Sequence, residues 1–384
     1  MRLKIARVAG FILLIVPLAT FGQKLHLRLE NQISSWGTMN FSEPAKYQLG
    51  GRYLPTFSIL DSLKKNRTLD AEISLNAYGN IFFSGNNPVE TDGTIKPYRF
   101  WVRYSAPHFE LRLGLQKINF GSASIFRPLM WFDRMDIRDP LQLTDGVYGL
   151  LARYYFQHNT NIWLWSLYGN DKPMGWSNVP TKREIPEIGG RIQQPVPKGE
   201  IAFTYHHRQA DFSDWYDTIP SATQTHFPED KIGLDGKWDL GVGLWFEYVV
   251  KHNDPENMMV KEWETYFNLG LDYTFQVGNG LNITTEYFRY NNTDDLTEKD
   301  LRNTFAALSA SYPFGLMNTV TAVVYYNWEE DDWSRFVSLQ RKYDYWSFYL
   351  MAFWNPEYYK RYSVTNDRNM FAGKGIQLMA VVNF

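Results

Sequence analysis

The last twelve residues, G-K-G-I-Q-L-M-A-V-V-N-F over 373–384, put Ile376, Leu378, Ala380, Val382 and Phe384 on one face of an extended strand. An alternating strand that runs to a final aromatic leaves an unpaired edge in a soluble domain. In a closed transmembrane β-barrel the last strand pairs with the first, and no backbone group is left unpaired in hydrocarbon. The sequence therefore predicts that 373–384 closes a membrane barrel.

The N-terminus fits a secreted chain. Arg2, Lys4 and Arg7 precede the apolar stretch 8–21, and Thr20 and Gly22 suit cleavage before Gln23. That stretch is shorter than the roughly 18 residues a membrane span needs. Residues 1–22 are expected to be a cleaved leader, and 23–384 a single barrel domain. There is no Cys, which removes disulfides, thiolate metal sites and a lipidated cysteine anchor. Without the leader cations, 36 Lys and Arg face 41 Asp and Glu, so the balance does not suit nucleic acid. Aromatics reach 17% while mean hydropathy is only −0.39. Strands with one polar and one lipid face, ringed by aromatic girdles, have that composition.

Period-2 alternation recurs near 24–35, 47–58, 69–83, 97–106, 108–117, 146–157, 160–169, 187–195, 199–209, 230–239, 241–252, 261–276, 279–291, 302–312, 316–328, 333–342, 344–355 and 373–384. These make eighteen antiparallel strands, or sixteen if the weak segments 187–195 and 333–342 are loops. Short connections such as Ala106-Pro107-His108 and 277–280 alternate with long ones at 36–46, 84–96, 118–145, 170–186, 210–229 and 356–372. Short periplasmic turns and long extracellular loops have that asymmetry. Only 59–68 is a longer turn than the pattern wants.

Alternation also assigns faces. Leu111 and Leu113 must face lipid and Glu110 and Arg112 the lumen, since a charge at the bilayer midplane costs about 2–4 kcal/mol. Inward basic candidates are Arg28, Arg52, Arg99, Arg103, Arg112, Arg153, Arg191 and Arg208. Inward acidic candidates are Asp235, Glu247, Glu262, Glu264, Asp272 and Glu286. Asp70, Glu72, Glu110, Lys237 and Lys251 make the segregation partial. Opposed basic and acidic arcs would set up a transverse field across the lumen, and paired charges that merely keep it wet are the alternative.

The segment 118–145 is too apolar for a solvated loop. Ile125, Phe126, Leu129, Met130, Trp131, Phe132, Met135 and Ile137 need a surface to bury against. It is expected to fold into the lumen as a constriction, with Arg127, Asp133, Arg134, Asp136, Arg138 and Asp139 as solute contacts. Gly114-x-Gln116-x-Ile118-x-Phe120-Gly121, Phe126-x-Pro128, Asp139-Pro140 and Thr144-x-Gly146-Val147 resemble a segment of alginate-export-like and related substrate-specific outer-membrane porins. That resemblance implies a barrel of about eighteen strands. The family's common Arg after the first Gly is Leu115 here, so a phosphate- or uronate-binding role for it does not carry over. The terminal Phe384 strand likewise resembles the signal read by the bacterial barrel assembly machinery.

No nucleophile-elbow, P-loop or zinc-protease motif occurs. His206 and His207 are adjacent and must point to opposite faces, so they do not chelate one metal. His226 and Asp230 are weak hydrolase candidates, and the acidic run 329–332 is a solvated turn or a divalent-cation bridge to lipopolysaccharide. The sequence thus points to a non-enzymatic outer-membrane channel for small polar or charged solutes, without metal or cofactor. Its expected surroundings are membrane lipid and lipopolysaccharide, and its oligomeric state stays open. Export of an anionic polysaccharide, or a closed barrel acting as adhesin or scaffold, are the other readings.

Overall fold

The computed structural model describes residues 25–41, 46–84, 87–135, 139–213, 225–255, 260–295, 301–356 and 370–384. The expected leader, Asp136 and Arg138 lie outside them. The chain forms β1 His26–Asn40, β2 Lys46–Leu63, β3 Arg67–Ser84, β4 Asn87–Ala106, β5 Phe109–Gln116, β6 Val147–Tyr155, β7 Asn161–Leu167, β8 Glu187–Val196 and β9 Gly199–Asp211. It continues with β10 His226–Asp239, β11 Gly243–Asn253, β12 Trp263–Phe275, β13 Leu281–Thr293, β14 Leu301–Phe314, β15 Asn318–Asn327, β16 Asp332–Lys342, β17 Trp346–Trp354 and β18 Lys374–Asn383. Each strand pairs antiparallel with its neighbours in sequence, and β18 pairs with β1 from Gln32↔Asn383 to Asn40↔Gly375. Phe384 completes the seam by exchanging both backbone hydrogen bonds with Asn31, at 2.8 and 3.0 Å. The result is a closed eighteen-stranded antiparallel barrel. Both weak segments, 187–195 and 333–342, are strands, so the sixteen-strand option is excluded.

Two expected long loops are corrected. The connection at 36–46 shrinks because β1 continues to Asn40 and β2 begins at Lys46. The region 84–96 is strand, because β3 and β4 remain paired up to Ser84↔Asn87. A bulge explains why alternation missed it. Ser74 pairs with Arg99 and Leu75 with Pro97, leaving Tyr98 as the extra residue. Beyond Tyr98 the faces of β4 swap parity. The long turn expected at 59–68 is also strand, closed by Lys64–Asn66 with Lys65 and Asn66 at φ 63° and 55°. Asn tolerates this left-handed region better than most side chains.

The outer face is apolar. Leu113, Leu164 and Leu378 are each about 60% exposed, beside Leu27, Leu29, Phe100, Phe203 and Leu350. So much exposed aliphatic surface in a continuous band matches hydrocarbon rather than water. Aromatics crowd both margins of the band: Trp328, Trp333 and Trp354 at one, Tyr343, Trp346 and Phe348 at the other. Among the described residues no helix is long and apolar enough to cross a membrane. The inner face carries the charges, but also apolar residues that simple alternation does not call for: Leu151, Trp165, Leu167, Val249, Phe288 and Val323.

Candidate functional site: the lumen and the loop inside it

Those inward apolar side chains are the floor for the β5–β6 loop, 117–146. Ile118, Phe120, Ile125, Phe126, Leu129, Trp131 and Phe132 are all buried in one cluster with them. Phe126 stacks on Phe288 with centroids 5.0 Å apart, and Phe120 stacks on Trp165 at 5.7 Å. The β7–β8 loop covers the cluster. Trp176 stacks on Phe288 at 4.9 Å and donates its indole N–H to Arg127 O. At about 1.5–3 kcal/mol per large side chain, this burial draws the loop into the barrel.

Two carboxylates fix where it sits. Glu247 on β11 accepts the backbone N–H groups of Ser122, Ala123 and Leu129 at 2.6, 2.7 and 3.0 Å. Glu286 on β13 accepts those of Ser124, Ile125 and Phe126 at 2.7, 3.0 and 2.9 Å, and the Asn268 side-chain amide at 2.9 Å. Six loop amides that would otherwise be buried without partners are satisfied by two side chains. Glycines make room. Gly121 has φ +94°, and a Cβ there would lie 2.5 Å from Glu247 Oε1; a Cβ on Gly233 would meet Leu129 at 2.5 Å. Gly121→Ala combines a left-handed backbone with that clash and is expected to cost about 1–3 kcal/mol. Limited trypsin digestion of the folded barrel checks this, with cleavage after Lys117 or Arg134 faster than in wild type. Equal rates would mean that the close approach at Gly121 does not hold the loop.

The acidic arc is therefore not an open wall. Glu247 and Glu286 are consumed by the loop. Asp235 takes both guanidinium arms of Arg191, at 2.6 and 2.8 Å, and Glu264 holds Lys251 at 2.6 Å. Arg208 is bound in turn by Glu229, with Lys231 and Lys251 around the same carboxylate at 3.1 and 3.2 Å. Glu262 is exposed ahead of β12 rather than on it, and Asp272 is lumen-facing and half-buried. Four of the six acidic candidates, Asp235, Glu247, Glu264 and Glu286, are thus bound to loop amides or to cations.

The basic arc differs. Arg103 is bound bidentately to Asp70, and Glu110 is shared by Arg103, Arg112 and Arg153 at 3.6, 3.2 and 3.4 Å. Arg112 and Arg103 lie 4.8 and 5.4 Å from the Trp101 ring, and Arg153 lies 3.8 Å from the Trp163 ring. Arg52 sits between Trp36 and Tyr78, about equally far from each ring (5.4 and 5.5 Å). Arg99 is buried and donates to Thr144 O at the loop's return. Arg28 pairs with Glu30 and is well exposed. Five arginines, 52, 99, 103, 112 and 153, against Asp70, Glu72 and Glu110 leave this wall positive.

The loop's charged residues have local roles. Arg127, left-handed at φ 49°, is buried and donates to Asn119 Oδ1 at 2.5 Å. Arg134 donates to Ser177 O, and Asp139 caps the turn at Leu141 N. Asp133 is buried without a hydrogen bond for either carboxylate oxygen, and Lys117 Nζ is 4.0 Å away. Burial pushes its carboxyl up from the usual range, against the pull of Arg127, Lys117 and Arg99. Gln116, fully buried, donates to Gly149 O and Arg112 O at the strand end. His206 is bound to Glu187 and Trp165 inside, while His207 bonds outside to Asp230, which also accepts from Tyr205. Asp230 is thus committed to groups other than His226.

No family model matches the sequence, and no curated protein matches it. Solved structures do match in shape. An anion-selective porin from Comamonas acidovorans aligns over 94% of this chain and 100% of its own, with TM-score 0.50 and 12% identity. OccAB1 of Acinetobacter baumannii aligns over 94% and 96%, with TM-score 0.57 and 8% identity. OmpT, an outer membrane protein of Vibrio cholerae in its trimer form, aligns over 94% and 99%, with TM-score 0.50 and 9% identity. At these identities the likeness is one of fold: a closed barrel shared along nearly the whole of each chain.

Proposed function

We propose that this chain is a bacterial outer-membrane porin that passes small polar solutes by diffusion and favours anions. The observation that carries the reading is the asymmetry of the lumen. Asp235, Glu247, Glu264 and Glu286 are spent on loop amides and buried ion pairs, whereas Arg103, Arg112 and Arg153 keep part of their surface toward the open side. The β5–β6 loop is the constriction, and the water-filled path runs beside it along β1–β5. Aromatic rings under the arginines hold the guanidinium planes without neutralising them. The named selectivity of the Comamonas porin agrees with such a wall.

Replacing Arg103 and Arg112 together by Gln is expected to lower anion over cation permeability, most clearly at low salt, because the Debye length is about 10 Å at 0.1 M. The reversal potential in a salt gradient measures it. Wild-type selectivity in the double variant would remove this wall from the account. An anionic polysaccharide is the alternative cargo for the same wall, as the alginate-export-like resemblance implies. Block of the wild-type current by polyuronate would favour that reading, and its absence the small-solute one.

A further inference from the structure

The lipid-facing surface is apolar along most of the barrel, and the exceptions are informative. His207 and Asp230 face outward but are hydrogen-bonded to one another at 2.8 Å. Arg335 and Lys374 face outward near the extracellular ends of β16 and β18 with no such partner. Their neighbours in sequence settle the direction: Ser334, Phe336 and Gly375 are buried toward the lumen, while Arg335 and Lys374 are exposed. Among the described residues, neither side chain has an ion pair or hydrogen bond; Arg335 has only the Trp333 ring, at 5.7 Å.

The two cations are aligned. Arg335 pairs in register with Trp354, and Trp354 with Lys374. Two strand spacings put their Cα atoms about 10 Å apart, so two long side chains can converge over the indole between them. Trp354 is 43% exposed, and Trp333 and Trp328, on the same margin of the barrel, are 47% and 58% exposed. In the β15–β16 turn, Glu329 accepts Thr304 N, and Asp331 accepts the Tyr326 hydroxyl. Indoles of this exposure sit at the headgroup level of a bilayer. A guanidinium there binds phosphate through two parallel N–H groups, and an ammonium adds a point charge.

We infer that Arg335, Trp354 and Lys374 form a binding site for a phosphorylated lipid headgroup of the outer leaflet. The inference rests on the outer-membrane reading but not on the pore's selectivity. The guanidinium and ammonium clamp a phosphate, and the indoles bear on the sugar or acyl shoulder of the lipid.

The test uses the full folded barrel in a non-ionic detergent, titrated with bisphosphorylated lipid A and followed by native mass spectrometry. Wild type is expected to retain one lipid. Arg335→Gln with Lys374→Gln is expected to bind on the order of tenfold more weakly, as the loss of two solvent-exposed ion pairs implies. Dephosphorylated lipid A is expected to bind as weakly to wild type as the phosphorylated form does to the variant. Inorganic phosphate at matched concentration is expected not to displace the lipid. Equal affinity in wild type and variant, equal affinity for the dephosphorylated lipid, or displacement by free phosphate alone would each overturn the inference. If the double variant does not fold, each single variant carries the same comparison, with several-fold weakening expected. Channel conductance of the variants is expected to match wild type, so a failure here is distinguishable from a failure of the porin reading.

Discussion

Replacing Glu247 and Glu286 together by alanine is expected to raise single-channel conductance severalfold. The change leaves six loop amides without acceptors, at about 1–3 kcal/mol each if they stay buried. The aromatic contacts of Phe126, Trp131 and Phe132 pull the other way, at about 1.5–3 kcal/mol per side chain. With six unpaired amides offsetting most of the burial, the loop is expected to leave its seat and water to enter. Glu→Gln at both positions is the graded control. A side-chain amide still offers one acceptor oxygen, and an intermediate conductance is expected. A double-alanine variant that inserts normally and conducts like wild type would mean that the loop is held by packing alone.

Deleting residues 374–384 is expected to abolish membrane insertion. The last strand pairs along its length with both β1 and β17, and without it two edges would face hydrocarbon. Each unpaired backbone group there costs several kcal/mol. The assembled wild type is expected to run faster on SDS gels before boiling than after, and the deletion variant to show no such shift. Phe384→Ala is expected to be milder, because the Asn31 bonds are made by backbone. A deletion variant that still inserts with a heat-dependent mobility would show that β18 is not needed for closure.

The strands were legible because a barrel wall separates two solvents along its whole length, and that imposes period 2 on every segment. Even β8, weakened by Gly189, Gly190 and Pro195, lies where the pattern puts it. Gly189 is there because the Trp165 indole occupies the space of a Cβ. The 84–96 stretch was misread for a local reason: one extra residue at Tyr98 reverses the alternation just where Pro97 interrupts it. The site was less legible. Alternation says which face a carboxylate is on, not what covers it. Glu247 and Ser122 are 125 positions apart, and no local pattern links them. A signal was present nonetheless. Trp165, Val249, Phe288 and Val323 are apolar at inward positions, which implies that something apolar lies against them, and the loop 117–146 has the composition to do so.

The central claim is a water-filled path lined by arginines beside a clamped loop. It is tested most directly by the current–voltage curve of the purified wild-type barrel in a planar bilayer, under a tenfold gradient of potassium chloride. The account predicts discrete conductance steps and a reversal potential of the sign set by chloride, shrinking toward zero as salt rises and screens the wall. Absence of any conductance, or a reversal potential of the sign set by potassium, would contradict it.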